Sequence, residues 1–309
     1  EASIMSNAPS TITAGGDVNM EAGKGGGGDL AVVGSRVEAD ADMNLRARDG
    51  ILVSSAQESE SMISASSESK LFSGKSKASG DAQVTQVGSE IVAGNDLHAE
   101  AKNIAVSASQ IHAGNDVVIK STESDVIVSG AQNTVSAYRY EKKDGWNLNA
   151  PLEIPLAILS GDGVEFYNSK MKEAKDTSSF NVGSQITAGN NVEVDSARDA
   201  VVIGSTVAAG NDVNINAVRD ANLIPGLTSQ TSERRTKEKS IGFTALSISE
   251  NEIKSFAGVT KKETGSKFTG DYNAGSVVSA GNDIKIEAGN NVNQFSSDIE
   301  AGRDVTLKS

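Results

Sequence analysis

The sequence predicts an all-β fold: a right-handed parallel β-helix, or β-solenoid, of about 20–21 residues per rung with β-hairpins projecting after every second rung. Three observations carry that prediction. Ile186-Thr-Ala-Gly-Asn-Asn-Val returns 21 residues later as Val207-Ala-Ala-Gly-Asn-Asp-Val, and Arg198-Asp199 returns as Arg219-Asp220. Apolar residues alternate inside the unit, as in Val213-Asn-Ile-Asn-Ala, which is the two-residue period of a strand. Aromatics make up only 4% of the chain while Gly counts 31 residues, which suits thin stacked layers better than a broad globular core.

The unit reads Val or Ile, any residue, Ala-Gly-Asn-Asp, then alternating apolar positions. Copies lie at Ile12–Ala22, Val37–Ala47, Val92–Ala101, Ile111–Ser121, Ile186–Ser196, Val207–Ala217, Val278–Ala288 and Ile299–Ser309. They form four pairs, the second copy following the first by 25, 20, 21 and 21 residues; the glycines of 23–28 account for the longest spacing. Gly94-Asn95-Asp96, Gly114-Asn115-Asp116, Gly210-Asn211-Asp212 and Gly281-Asn282-Asp283 read as structural turns. Gly and Asn tolerate positive φ there, and Asp can bond its own nearby backbone. Three short strands and three turns make one rung, and equivalent positions stack on one another.

The whole of 1–309 reads as one β-helix domain, a fragment of a longer protein with no signal peptide at its start. Inserts at about 57–87, 132–182 and 226–275 separate the pairs, each leaving after a third-strand segment such as Ile51-Leu-Val. Their alternating runs predict hairpins. They hold 17 of the 28 Lys and Arg and 17 of the 41 Asp and Glu, so the rungs carry the entire net charge of −13. Two rungs rise about 9.6 Å, the width of one two-stranded hairpin, so successive hairpins are expected to join edge to edge as a second, antiparallel sheet.

Composition narrows function. Net charge −13 argues against nucleic acid as the main partner. Cysteine is absent, and no apolar run reaches the length of a membrane-spanning helix. The acidic column of Asp17, Asp42, Asp96, Asp116, Asp212, Asp283 and Asp304 could suggest calcium, but Asn191 interrupts it and turn capping explains it more simply. The Arg-Asp pairs at 48–49, 198–199, 219–220 and 303–304 could suggest a polysaccharide lyase, the enzymatic alternative on such a fold. They recur in nearly every module, whereas catalysis needs one converging cluster. His98 and His112 do not align, and no nucleophile elbow or phosphate loop is present. No catalytic, metal or cofactor site is expected.

The inserts are the better place to look for a contact surface. Eleven of the twelve aromatics lie in them. Tyr138, Tyr140, Trp146, Phe166 and Tyr167 cluster in the second insert around the apolar stretch of Leu152, Ile154, Leu156, Ile158 and Leu159. Together these are the candidates for contact with a partner or membrane. The simpler reading, preferred here, is that the rings pack the hairpin sheet onto the helix, since such a sheet needs an apolar face. Arg234, Arg235, Lys237 and Lys239 read as a solvated hairpin tip.

The paired Ala-Gly-Asn-Asp-Val units, with inserts re-entering through Val87-Gly-Ser and Val182-Gly-Ser, resemble the haemagglutinin repeats of filamentous haemagglutinin-like exoproteins of two-partner secretion. They look most like the CdiA effectors of contact-dependent growth inhibition. The resemblance implies a secreted, cell-surface rod exported through an outer-membrane transporter in a Gram-negative bacterium. Its expected function is non-catalytic help in delivering a C-terminal toxin across the target-cell outer membrane; the alternative is the shaft of an adhesin for host-cell or biofilm attachment. The implied partners are that transporter and a target-cell envelope or host-cell surface. No toxin domain and no Val-Glu-Asn-Asn motif occurs in this chain.

Overall fold

A computed structural model describes residues 1–147, 163–249 and 252–309. Three parallel sheets wind around one core. The first face runs from Thr11–Ala14 to Asp298–Ala301, the second from Val18–Ala22 to Val305–Lys308 and the third from Leu30–Val33 to Asn291–Gln294, with eight, eight and seven strands. Equivalent unit positions stack across the inserts as well as within pairs: Ile91 lies beside Val37 and Ile111, Ile111 beside Ile186, and Val207 beside Val278. The chain is a parallel β-helix.

The alternation read from sequence decides which side chains enter the core. In Leu97–Ala101 the residues Leu97, Ala99 and Ala101 are buried while His98 and Glu100 face out. Each fully buried Val, Leu or Ile contributes about 1.5–3 kcal/mol relative to exposure, so the stacked columns drive the winding. One copy starts a residue earlier than expected. Ile91, not Val92, is the inward residue, because it occupies the position three before Gly94 that Ile111 holds before Gly114.

The turn glycines serve a different purpose from the one expected. Among the described residues positive φ occurs at Gly23, Gly34, Gly204, Ala108 and Ser296, none of them a glycine of the Ala-Gly-Asn-Asp turn. A Cβ on Gly114 would instead sit 2.1 Å from the Gly94 carbonyl oxygen of the rung before, and Gly189, Gly210 and Gly281 meet the same obstacle at 2.0–2.1 Å. Stacking distance, not backbone conformation, excludes a side chain there.

The aspartates likewise bond between rungs rather than to their own backbone. Asp96 Oδ1 accepts from Asn115 Nδ2 at 2.7 Å and from the Asp116 backbone N–H at 3.2 Å. Asp116 Oδ1 then receives Asn190 Nδ2 at 3.0 Å and Asn191 N–H at 2.9 Å. Asn191 supplies its own amide oxygen to Asn211 Nδ2 at 3.1 Å and Asp212 N–H at 3.2 Å. The ladder thus needs an acceptor oxygen, not a charge, which is why Asn can replace Asp.

A second ladder closes the corner where hairpins leave and return. Ser89 N–H donates to Ser109 Oγ at 3.1 Å, Ser109 N–H to Ser184 Oγ at 3.2 Å and Ser184 N–H to Ser205 Oγ at 3.0 Å. All four serines are buried. Rungs without a hairpin turn this corner through one left-handed residue before the serine, Gly34, Ala108, Gly204 or Ser296.

From this corner project three antiparallel hairpins: Ala56–Lys70 with Ser73–Val87, Ala131–Trp146 with Gly163–Val182, and Gly226–Ser249 with Glu252–Ala274. Neighbouring hairpins pair edge to edge, and Ala2–Met5 adds an outer strand, giving a wing of seven strands among the described residues. The pairing follows from matched heights, two rungs to one hairpin. The wing is a single layer. Among the described residues Val164 is its one buried side chain. The expectation that the rings pack it onto the helix is therefore corrected. Trp146 is 55% exposed and Tyr138 36%, and long cross-strand pairing rather than an apolar face holds the layer. Arg234, Arg235, Lys237 and Lys239 lie along the strand Gly226–Ser249, not at its tip.

Candidate contact surface

The five candidate rings fall into two groups. Strand Ala131–Trp146 places Tyr138, Tyr140 and Trp146 on one face of the wing, since alternate residues share a side. Trp146 stands directly opposite Tyr167, and their ring centroids are 5.2 Å apart with planes tilted by 54°. This is a favourable aromatic pair. Phe166 occupies the register slip between Glu165 and Tyr167, so one extra residue separates it from the regular ladder. Trp146 lies six residues along the strand from Tyr140, about 20 Å, so Tyr138 and Tyr140 form a separate mid-wing pair. Tyr140 faces Glu173 across the ladder, and burial followed by the Glu173 charge pushes the Tyr138 phenol up. Leu152, Ile154, Leu156, Ile158 and Leu159 lie outside the described residues.

The far end gathers apolar residues that the sequence reading passed over. Trp146 N–H donates to the Phe72 carbonyl at 2.8 Å, which brings the tip of the first hairpin beside the second. Leu71 and Phe72 there are 87% and 46% exposed. Tyr167 pairs with Ile241 and Ile241 with Val259, so one row across four strands reads Trp146, Tyr167, Ile241, Val259. Only the cross-strand register reveals this row, because its two ends, Trp146 and Val259, are more than a hundred residues apart.

A family model of the hemagglutinin repeat matches residues 2–75, 71–154 and 166–309. The chain belongs to the hemagglutinin-repeat family. Neither a curated protein nor a solved structure matches it. Membership makes this hemagglutinin-repeat chain a structural shaft of the filamentous haemagglutinin type.

The charged columns of the hemagglutinin-repeat rungs are explained by stacking. Arg198 forks onto Asp125, Arg219 onto Asp199 and Arg303 onto Asp283, each carboxylate coming from a neighbouring rung. The guanidinium hydrogen bonds hold all three carboxyls below the usual range. Asp125 and Asp199 also accept the backbone N–H of Asp199 and Asp220 at 3.0 and 3.2 Å. Arg303 belongs to the Gly-Arg-Asp turn of the first corner, whereas Arg198 and Arg219 belong to the second, so the Arg-Asp pairs are two different structures. Each arrangement is a chain of inter-rung braces rather than a converging site. Among the described residues no group of three or more His, Asp or Glu is placed to hold a metal ion.

Proposed function

We propose that this shaft segment is a non-catalytic part of a secreted, cell-surface effector filament, exported through an outer-membrane transporter of two-partner secretion. Its wing meets the target-cell envelope while a C-terminal toxin is delivered across the outer membrane in contact-dependent growth inhibition. The observation that supports the reading is the single-layer wing with its exposed far end: Leu71, Phe72, Trp146 and Val259 present apolar surface that the helix leaves uncovered. Exposed apolar patches of this kind mark contact with a partner or membrane, and Trp and Tyr favour the boundary between water and lipid. The rungs, by contrast, satisfy their polar groups internally and act as a support.

The test uses the full-length exoprotein in a competition assay between inhibitor and target cells. Replacing Trp146 and Tyr167 by Ser, or Leu152–Leu159 by polar residues, is expected to abolish target-cell killing while leaving surface display intact. Unchanged killing by both variants would remove this reading. The second reading, an adhesin shaft, draws on the continuous stacking of the rungs. It predicts that the same variants lose attachment to host cells or biofilm without any effect on a competitor.

A further inference from the structure

On the wing face opposite Trp146, three adjacent rows of side chains run across the strands. The first is Ser64, Ser79, Arg139, Ala174, Arg234, Ser266 and the second Ser66, Lys77, Glu141, Lys172, Thr236, Thr264. The third is Glu68, Lys75, Lys143, Lys170, Glu238, Lys262. The first two rows floor an open cavity of about 570 Å³ whose lining includes Ser64, Ser79, Lys77, Arg139, Lys172 and Arg234.

The charges here are not balanced. Among the described residues Arg139 and Lys172 form no ion pair, and Glu141 is shared between Lys143 at 3.3 Å and Lys77 at 3.9 Å. In the third row Lys75, Lys143 and Lys170 stand directly opposite one another on three consecutive strands. Like charges in that position destabilise a sheet. Glu141 offsets Lys143 and Glu238 offsets Lys170, while Lys75 has no paired carboxylate among the described residues, so the row keeps an excess of positive charge that an external anion would relieve.

We propose that this face binds a linear acidic polysaccharide, a chain of sugars bearing carboxylates. Carboxylate is the anion these cations already take, Asp176 on Arg234 at 2.7 Å and Glu141 on the lysines. The rows run across six strands, about 24 Å end to end, so they fit an extended chain lying along the helix axis rather than a compact ligand. Serine and threonine hydroxyls on the floor supply hydrogen bonds to sugar hydroxyls. The three rows contain no aromatic side chain and Tyr140 is the single ring in the cavity lining, short of the series of rings that stacks successive nucleic-acid bases. The rungs, which carry the net negative charge, confine the anion to the wing. The site is separate from the apolar far end and does not rest on the delivery reading.

Fluorescence anisotropy of a labelled oligogalacturonate with the whole chain tests this at low ionic strength. Saturable binding is expected, weakening with added salt and falling at least tenfold in the double variant Arg139→Gln, Lys172→Gln. The variant Lys285→Gln, on the second face of the helix, should bind as the parent does, and melting curves establish that each variant is folded. Absence of binding by the folded parent, or equal binding by the double variant, overturns the proposal. So does tighter binding of single-stranded DNA or of phosphatidylglycerol vesicles with the same dependence on Arg139 and Lys172.

Discussion

Asp116 separates the two explanations of the acidic column, bracing and charge. Its Oδ1 takes three hydrogen bonds from the next rung, Asn190 Nδ2 at 3.0 Å, Asn191 N–H at 2.9 Å and Asn191 Nδ2 at 3.0 Å. Asp116→Ala removes all three. A hydrogen bond to a charged acceptor is worth about 1.5–3 kcal/mol, and partial exposure of this corner lets water replace some of it, so the net loss is about 2 kcal/mol. Asp116→Asn keeps an oxygen in the same place, as Asn191 does naturally for Asn211 and Asp212. Its cost is about 0.5 kcal/mol, since only the charge assistance is lost. Urea unfolding followed by circular dichroism measures both, and hydrogen exchange at the Asn191 amide reports the local effect even if rungs open separately. If Asn is as damaging as Ala, or if calcium stabilises the parent but not Asp116→Ala, the charge itself matters and bracing is the wrong account.

Other substitutions probe the remaining contacts. Gly114→Ala forces a Cβ to within 2.1 Å of the Gly94 oxygen and is expected to destabilise by about 3 kcal/mol or more, whereas Gly16→Ala, with open space around it, changes the melting temperature little. Ser109→Ala leaves the buried Ser89 N–H without its acceptor and should cost about 1–3 kcal/mol in the same unfolding experiment. For acid stability, Asp125, Asp199 and Asp283 have folded pKa values depressed by Arg198, Arg219 and Arg303. Their contribution is complete above the unfolded value of about 3.9 and is lost as pH falls through the folded values, so the melting temperature should drop below about pH 4. Arg219→Gln should flatten that drop.

The repeat made the rungs legible because stacking demands the same residue type at the same place, and the paired spacing made the hairpin wing legible because heights must match. Local chemistry was harder to see. A glycine in a turn suggests positive φ from sequence, but the requirement at Gly114 comes from an oxygen on another rung. Asp116 looks like a local cap until the neighbouring turn is placed beside it. The buried serines were visible only as re-entry markers at Ser89 and Ser184, since serine is ordinary in loops and a ladder exists only between rungs. The second-insert aromatics were correctly located in the wing but given the wrong environment, because a sheet open on both sides departs from the usual burial of one face. Their separation into a mid-wing and a far-end group depends on strand direction over Ala131–Trp146.

Edge-to-edge joining of the hairpins is the feature on which the contact surface depends, and a chain without cysteine allows it to be measured by cross-linking. Ala82 and Ser136 face each other between the first and second hairpins, and Thr177 and Thr231 between the second and third. Paired residues have Cα atoms about 4.5–5.5 Å apart, within disulfide range, whereas two strands' separation is about 9.6 Å and outside it. The double cysteine variants at 82 and 136, and at 177 and 231, should each form an intramolecular disulfide under mild oxidation, while the pair at 82 and 177 should not. Failure of the two adjacent pairs to close, or equal closure of the distant pair, would show hairpins that move independently and would contradict the wing.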